Sequence, residues 1–304
     1  MRATSTESEV ARTRICLILG DSAQAPELAP AFVGRVALAV TSPPYHNAIS
    51  YSAHVVDPTS NYRLRESVSY DDEYLPMLRR VWASCHRMLM PGGYLAVNVG
   101  TVLMNGYHFP LPQDIMADLE TSDESWEFIR AIIWNKVTAG VKRAGSVIKH
   151  RLPGYWYPNI LTEHIIVVRK PGPMRSLNTD VPPEWWAPTW DLAPVPPGQV
   201  PHPAPFPEDL PHRLIRMLTA EGDVVMDPFL GGGATTKAAF DLSRIALGFD
   251  IEPKYIQCAR RRFGQLSMVR PKQLRISTVP ASEFVPGQSR GRTRHGAGLA
   301  TRKR

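Results

Sequence analysis

The chain has 304 residues, of which 43% are hydrophobic and 21% charged, a composition typical of a globular protein with a full core. No apolar run approaches the ~18 residues that span a bilayer, and the mixed-charge first residues lack the apolar segment of a signal peptide. The three cysteines (Cys16, Cys85, Cys258) are scattered without metal-ligand spacing, which predicts a metal-free cytoplasmic protein.

The net charge of +7 is concentrated at the end of the chain. Residues 270–304 hold nine Lys and Arg residues against one acid, Glu283, which gives +8 and leaves −1 for the other 269 residues. The same segment is rich in Gly, Ser and Pro, so we predict a basic disordered tail over 269–304. Such a tail either binds a polyanion or is only solvated.

The first ordered elements are two short strands. Residues 1–13 are predicted to be a flexible leader, 14–19 a strand closed by Asp21, and 36–40 a buried strand. The second strand must end within Thr41–Tyr45 (Thr-Ser-Pro-Pro-Tyr), because proline cannot donate to a ladder and restricts the residue before it. A hydroxyl, a fixed carbonyl and an aromatic ring are thereby held at the carboxyl end of a strand, where open α/β sheets place their ligands.

This turn suits the alkylation of an exocyclic amino group on a nucleobase. Ser42 and the carbonyl of Pro43 could accept the two N–H bonds of the amino group and draw its nitrogen toward tetrahedral geometry. Tyr45 would stack on the base, which must be flipped out of the duplex to reach the pocket. A strand followed by a Pro-Pro turn with a packed Tyr explains the same five residues without any function.

The middle of the chain predicts βαβ units and a parallel sheet. Residues 46–70 are polar and aromatic without a sustained period, which indicates a long loop over the site. Ser69 begins a helix that is amphipathic and stops at 91–93, and a strand over 94–99 follows. A second helix is predicted near 112–119, and two further strands over 128–134 and 164–168.

Two segments between these elements have unusual compositions. Basic residues from Lys136 to Arg151 have no acid before Glu163 and stand beside Tyr155–Tyr157, which suits a nucleic-acid backbone and an unstacked base, although a solvated hairpin is the alternative. Residues 171–211 hold 13 prolines and three Trp, which indicates either an ordered irregular segment or a linker. The Trp residues favour order, because they need a surface to pack on.

The last block holds a nucleotide-type cofactor motif. A helix from Glu208 leads to a strand over 224–227, a glycine-rich turn opens a helix through Phe240, and a strand over 245–249 ends in Asp250. Glycines let the backbone approach a cofactor, and the later acid accepts from ribose hydroxyls. The turn lacks the Gly-Lys-Ser/Thr ending of a P-loop and is not a full G-x-G-x-x-G.

Together the two motifs resemble those of prokaryotic or phage site-specific DNA methyltransferases of the amino-methylating type. The turn at 41–45 matches the family's (D/N/S)-P-P-(Y/F/W) catalytic motif, and the loop at 227–235 (Asp-Pro-Phe-Leu-Gly-Gly-Gly-Ala-Thr) is similar to its D-P-F-x-G-x-G-T cofactor loop. Ala234 departs from the common Thr, a change that we expect to be tolerated. The catalytic motif precedes the cofactor loop, which is the permuted β group of these enzymes.

The resemblance covers roughly residues 14–268 and implies a methyltransferase domain of Rossmann-like α/β fold. Its sheet would be mostly parallel, with helices on both faces and a circularly permuted motif order, and the 46–70 and 171–200 segments would be DNA-recognition insertions. The implied catalytic residues are Ser42, Pro43, Pro44 and Tyr45. The implied residues for S-adenosylmethionine are Asp21, Ser22, Phe206, Asp227, Pro228, Phe229, Gly231, Gly233, Thr235 and Asp250. No metal is implied. The implied partners are double-stranded DNA and a possible cognate restriction endonuclease, and the protein would be a monomer or a homodimer.

The motif order and the cysteines exclude related chemistries. RNA guanine-N2 and protein-glutamine methyltransferases share the Pro-Pro-aromatic turn but usually place the cofactor loop first. Methylation of cytosine C5 needs a Cys nucleophile after a Pro, and none of the three Cys follows one. In the family, Ser at position 42 favours cytosine N4 over adenine N6, with adenine as the alternative. A catalytically silent DNA-binding protein on the same fold is a further hypothesis.

Overall fold

The computed structural model describes residues 15–45, 69–104, 107–136, 161–196, 205–264 and 274–278. In these ranges the chain forms one large mixed sheet, a small hairpin, and helices on both faces of the large sheet. The described strands are β1 (Ile15–Leu19), β2 (Val36–Thr41), β3 (Leu89–Val99), β4 (Val102–Met104), β5 (Tyr107–Phe109), β6 (Glu127–Asn135), β7 (Thr162–Arg169), β8 (Thr189–Asp191), β9 (Val224–Asp227), β10 (Ile245–Asp250) and β11 (Leu274–Thr278). The described α-helices are α1 (Ala25–Leu28), α2 (Leu75–Met88), α3 (Leu111–Thr121), α4 (Asp209–Leu218), α5 (Ala234–Asp241) and α6 (Pro253–Gly264).

The strand order in the large sheet is β11-β1-β10-β9-β2-β3-β7-β6-β8, and β4 and β5 form the separate hairpin. β7 runs antiparallel to both β3 and β6, and the other neighbours are parallel. β9 is followed along the chain by β10 on one side, whereas β2 is followed by β3 on the other side. The connections therefore diverge between the adjacent strands β9 and β2, and such a switch point opens a crevice at the carboxyl ends of the strands.

The core lies in two layers, one on each face of the sheet. Helices α1, α2 and α3 cover one face, where Trp82 and Leu78 are fully buried, and α4, α5 and α6 cover the other, with Phe263. Because both faces are covered, the central strands are continuous apolar runs instead of alternating ones. The predicted α/β architecture is confirmed.

Most element predictions match the structure, and the connection between α2 and β3 differs. The helix ends at Met88, and β3 begins at Leu89 and continues through Pro91–Gly93, where the sequence predicted a break before residue 94. The amide of Gly92 donates to the carbonyl of Lys170 (3.0 Å), and the Lys170 amide donates to Gly93 (2.9 Å). These bonds to the chain just after β7 keep the backbone of this Pro-Gly-Gly stretch in the sheet.

The predicted disordered tail is wrong for residues 274–278. Leu274–Thr278 forms β11, an edge strand in parallel register with β1, in which Leu274 pairs with Ile15 and Thr278 with Leu19. The physical reason is that β1 would otherwise expose its free edge, and the alternating Leu-Arg-Ile-Ser-Thr sequence suits an edge strand. Residues 279–304, like the leader, lie outside the described residues.

Residues 171–196 of the Pro- and Trp-rich segment are ordered. They contain a 3₁₀ turn, Pro183–Trp186, and strand β8, which pairs with the end of β6. Trp190 is 1% exposed, and the Nε1 of Trp134 donates to the carbonyl of Leu192 (2.8 Å). The indole rings thus bind this segment to the sheet, as the composition indicated.

Two kinds of feature are absent from the described ranges. No helix in them is long and apolar enough to cross a membrane. No group of three or more His, Cys, Asp or Glu side chains among the described residues is placed to hold a metal ion.

Candidate active site at the carboxyl edge of the sheet

Four predicted site residues lie side by side at the carboxyl edge of the sheet. Asp21 follows β1, Asp250 ends β10, Asp227 ends β9 and Ser42 follows β2, and these four strands are consecutive neighbours. At about 4.8 Å between strands the row spans ~15 Å. The fold therefore brings the predicted cofactor acids and the predicted catalytic turn, which are far apart in sequence, to the two sides of the switch point.

Asp227 is the buried centre of this edge, with only 1% of its surface exposed. Its Oδ1 accepts hydrogen bonds from the hydroxyl of Thr41 (2.8 Å) and from the amide of Phe229 (3.1 Å). Burial raises the pKa of the Asp227 carboxyl to about 6, the hydrogen bonds oppose this rise, and the charge of Asp250 adds to it. Asp227 thus connects the strand of the catalytic turn to the glycine loop.

Asp250 is also buried, and both of its carboxylate oxygens accept backbone hydrogen bonds. Oδ2 accepts from the amide of Gly231 and Oδ1 from the amide of Glu252, each at 2.9 Å. The amide of Gly20, just after β1, donates to the Asp250 carbonyl (2.9 Å). These contacts fix the carboxylate between the ends of β1 and β10 and the glycine loop.

The glycine loop after β9 uses its backbone amides within the protein. Phe229 donates to Asp227 and Gly231 to Asp250, while the amides of Leu230 and Gly233 donate to the carbonyls of Phe249 and Leu230 (2.8 Å each). A phosphate-binding loop points such amides at its ligand instead. These four amides therefore have their partners within the protein.

Two glycines in the loop have a backbone that other residues rarely adopt. Gly231 has φ of 47° and Gly233 has φ of 77°. A Cβ on Gly233 would also lie 2.9 Å from the Cβ of Ala259 on α6. The loop reaches its tight path, and α5 its close approach to α6, only because these positions lack a side chain.

The predicted catalytic turn, residues 42–45, leaves β2 on the other side of the switch point. Ser42 is half-buried, Pro43 and Pro44 are buried, and Tyr45 is half-buried against the α1–α3 face of the core. The hydroxyl of Tyr74 donates to the carbonyl of Pro44 at 2.7 Å in a buried contact. Tyr74 was not predicted as a site residue, because the pattern around it indicated only the start of an amphipathic helix.

Four of the predicted cofactor residues lie in the scaffold of the site. The carbonyl of Ser22 accepts from the hydroxyl of Ser84 (2.7 Å). Phe229 packs edge-on against Trp82, with ring centroids 6.3 Å apart. Thr235 is fully buried, and its hydroxyl donates to the carbonyl of Val40 on β2 (3.3 Å). Pro228, between Asp227 and Phe229, is buried as well.

Phe206 lies half-buried before α4, on the α4–α6 side of the sheet. Two residues later, Glu208 forms an ion pair with Arg262 (2.9 Å), and Arg262 also donates to the carbonyl of Gly232 (2.8 Å). Arg262 therefore connects the Phe206 segment to the glycine loop. This arginine was not predicted as a site residue either, and its only signal in the sequence was a basic run at the end of a helix.

A further feature that was not predicted is a buried polar cluster around Asn98, near the end of β3. Thr41, the last residue of β2, pairs with Val97, and Asn98 is the next residue along β3. Asn98 is 2% exposed and donates through Nδ2 to Glu163 (2.5 Å), which also pairs with Lys136. The Cβ of a larger residue at Gly100 would lie 2.9 Å from the Cγ of Glu163. A buried polar cluster therefore lies on β3, the neighbour of β2, and on β7.

Three segments outside the described residues are attached at this same edge. Residues 46–68 follow the catalytic turn, 137–160 connect the end of β6 to the start of β7, and 197–204 precede α4. They contain the predicted loop over the site, the basic aromatic hairpin and part of the Pro-rich segment.

The chain matches known DNA methyltransferases over most of its length. The family model described as DNA methylase, for N6 and N4 methyltransferases, matches residues 36–261. The Type II methyltransferase M.MjaI of Methanocaldococcus jannaschii is 29% identical over 305 residues, which cover 88% of this chain and 95% of M.MjaI.

Solved structures agree with this match. A protein of Thermus thermophilus described as a DNA modification methylase, complexed with S-adenosyl-L-methionine, is 30% identical. The TM-score between the two structures is 0.60, and the alignment covers 87% of this chain and 99% of the Thermus thermophilus chain. PvuII DNA methyltransferase (cytosine-N4-specific) has a TM-score of 0.64 at 21% identity, covers 86% of this chain and 91% of its own, and shows the shared fold.

The two sequence motifs, their position at the switch point and these matches all indicate the same family of enzymes. They support S-adenosylmethionine as the cofactor. The chain belongs to the N6/N4 DNA methylase family and is an S-adenosylmethionine-dependent DNA amino-methyltransferase.

Proposed function

We propose that the enzyme methylates the exocyclic N4 of a cytosine that is flipped out of duplex DNA. The observation that carries the proposal is the position of Ser42, which places a hydroxyl directly before Pro43 at the carboxyl end of β2, beside the cofactor loop. A hydroxyl is a neutral acceptor, and the family resemblance associates Ser at this position with cytosine N4.

The proposed chemistry relies on two acceptors at the turn. The lone pair of an exocyclic amino nitrogen is delocalised into the ring, so this nitrogen is a poor nucleophile. The hydroxyl of Ser42 and the carbonyl of Pro43 accept its two N–H bonds and favour tetrahedral geometry, which returns the lone pair to the nitrogen. Tyr45 stacks on the flipped base. No general base is required, because the proton leaves after the nitrogen has become cationic.

The cofactor residues form the other half of the proposed site. S-adenosylmethionine, when bound, supplies an electrophilic methyl group on its sulfonium. Asp250 accepts from ribose hydroxyls, the loop from Pro228 to Gly233 provides a close backbone surface, and Phe206 closes over the methionine end. Asp21 and Ser22, which follow β1 next to β10, extend this cofactor-binding surface. Asp227 and Thr235 act mainly by fixing the loop against β2, as their hydrogen bonds suggest.

The proposed substrate is duplex DNA, bound over the edge where 46–68, 137–160 and 197–204 are attached. The basic residues between 136 and 151 would neutralise phosphates, and the aromatic residues at 155–157 would contact unstacked bases. Because M.MjaI is a Type II methyltransferase, we also propose a cognate restriction endonuclease as a functional partner.

Adenine N6 is the alternative target within the same family. Its amino group also carries two N–H bonds, so Ser42 and Pro43 could accept them in the same way. Ser in place of Asp or Asn at the first position of the motif favours cytosine.

The product distinguishes these hypotheses. Genomic DNA from cells expressing the enzyme, digested to nucleosides and analysed by mass spectrometry, should contain N4-methylcytosine that is absent when Ser42→Ala is expressed. If N6-methyladenine is the only modified base found, adenine N6 is the target instead of cytosine N4. DNA binding without either modified base would favour a catalytically silent protein.

A further inference from the structure

The Pro-Pro turn cannot fix its own backbone with amide donors. Pro43 and Pro44 both lack an N–H group, so the peptide planes of the turn depend on hydrogen bonds that their carbonyls accept. Pro44 is buried, and a buried carbonyl without a donor costs about 1–3 kcal/mol. The buried hydroxyl of Tyr74 supplies such a donor at 2.7 Å.

Tyr74 lies in one turn of π-helix, Tyr70–Tyr74, which directly precedes α2. The amide of Tyr74 donates to the carbonyl of Ser69 (3.0 Å) and that of Leu75 to Tyr70, which are i→i+5 bonds. Ser69 caps the turn by accepting from the amide of Asp72 (3.2 Å). Single π-turns are rare and occur frequently at functional sites.

The first and last residues of the π-turn, Tyr70 and Tyr74, are both buried tyrosines, but their hydroxyl groups have different partners. Their rings are stacked, with centroids 5.7 Å apart and planes at 26°, and both are buried. Tyr74 donates to the catalytic turn, whereas the Tyr70 hydroxyl donates to Asp114 on α3 (2.6 Å), and its ring contacts Phe109 (4.9 Å). One tyrosine thus supports the site and the other supports the packing of α3.

The hydrogen bond from Tyr74 constrains both neighbours of Pro44. It fixes the Pro44–Tyr45 peptide, whose orientation decides the direction in which the Tyr45 side chain leaves the turn. It also holds the Pro44 carbonyl toward α2, which leaves the carbonyl of Pro43 as the turn's acceptor for a base.

We propose that Tyr74 is a positioning residue for methyl transfer, acting through the Pro44 carbonyl on the acceptor at Pro43 and the stacking ring of Tyr45. The inference rests on the proposed function of the turn. It assigns a role to a tyrosine outside the sequence motif, and the role requires the hydroxyl group and not only the ring.

The test compares Tyr74→Phe with Tyr70→Phe in the full-length enzyme, because each change removes one buried hydroxyl from the same π-turn. Single-turnover methyl transfer is measured with labelled S-adenosylmethionine and saturating DNA, together with cofactor affinity by calorimetry and thermal unfolding. Tyr74→Phe should lower the transfer rate at least tenfold with cofactor affinity within twofold of wild type. Tyr70→Phe should keep the transfer rate within twofold.

A donor restored at position 74 separates positioning from folding. The amino acid p-aminophenylalanine in place of Tyr74 retains an N–H donor near the hydroxyl position and should recover most of the lost rate. Wild-type rates in Tyr74→Phe would overturn the proposal. Equal rate losses in both Phe variants, or no recovery with the restored donor, would show a purely structural role and would also overturn it.

A parallel assay of Ser42→Ala distinguishes failure of this inference from failure of the proposed function. If Ser42→Ala loses activity while Tyr74→Phe keeps it, only the role of Tyr74 is wrong. If Ser42→Ala keeps the wild-type rate, the turn is not the catalytic site, and both proposals fail.

Discussion

The hydroxyl of Thr41 donates to Oδ1 of Asp227 at 2.8 Å, across 186 residues of sequence. Both residues are buried, and they end the two strands between which the chain connections diverge. The bond therefore joins Thr41, which directly precedes the predicted catalytic residue Ser42, to Asp227, the first residue of the predicted cofactor loop.

Thr41→Val should destabilise the protein by about 2–3 kcal/mol, because it keeps the shape of the side chain but removes a donor from a buried carboxylate. Urea unfolding measures the change. Thr41→Ser is the matched control, since it keeps the hydroxyl and loses one methyl group, which costs about 1 kcal/mol. If the two variants were equally stable, the hydrogen bond to Asp227 would contribute little.

The raised pKa of Asp227 predicts how the stability depends on pH. The folded protein binds this proton more tightly than the unfolded chain, because the pKa is about 6 in the fold against an ordinary value of 3.8. The contribution of Asp227 therefore becomes less favourable as pH rises from 4 to 6, by about 3 kcal/mol, and is constant above that window.

Asp227→Asn removes this titration and serves as the comparison. The free energy of unfolding of the wild type, minus that of Asp227→Asn, should fall by about 3 kcal/mol between pH ~4 and pH ~7. Urea unfolding at several pH values measures the difference. A constant difference would show that the carboxyl has an ordinary pKa in the folded protein.

Gly233→Ala should weaken both the fold and cofactor binding. Its φ of 77° strains any side chain, and its Cβ would clash with Ala259 at 2.9 Å. Gly222→Ala is the control, because Gly222 has a similar φ of 83° but no atom within 4 Å of the new Cβ. We expect about 1 kcal/mol of destabilisation for Gly222→Ala, from backbone strain alone. Gly233→Ala should cost more, and it alone should reduce the affinity for S-adenosylmethionine measured by calorimetry.

Asp250→Ala should weaken the binding of S-adenosylmethionine by ~1–3 kcal/mol, the usual cost of losing a charge-assisted hydrogen bond. The variant also removes the acceptor for the Gly231 amide, so thermal unfolding must be measured beside the calorimetry. Asp241→Ala, at the end of α5, removes an acid that pairs with Lys237 away from the edge and should leave affinity unchanged. Unchanged affinity in a folded Asp250→Ala protein would contradict the assignment of this acid.

The last 26 residues should increase the affinity of the enzyme for DNA without changing which DNA sites the enzyme prefers. Residues 279–304 carry six Lys and Arg and one acid, Glu283, a net charge of +5. Each phosphate contact adds about −0.9 to the slope of log K against log salt, so deletion of residues 279–304 should reduce the magnitude of the slope by up to ~5 units. A chain of the same length with the six basic residues replaced by Ser should behave like the deletion. An unchanged salt slope in both variants would show that the segment is only solvated.

The sequence alone determined the fold class and the two motifs, because each depends on local chemistry. Strands such as Val36–Thr41 are continuous apolar runs, since both faces are covered, and prolines must end such a strand. Glycines before a helix and an acid at the end of the next strand indicate a cofactor loop without reference to the rest of the chain. The Trp-rich segment could likewise be predicted to be ordered, because indole rings need a surface.

Only the tertiary structure decided which side chains meet at the site. The bond between Thr41 and Asp227, the donor from Tyr74 to Pro44, and the contact of Arg262 with Gly232 each join residues from distant elements, and no local pattern encodes such pairs. The strand Leu274–Thr278 was missed for the same reason, since its composition resembles a solvated tail and its stability comes from the free edge of β1. Local patterns fix which elements form, and the sheet order then fixes which of their ends lie together.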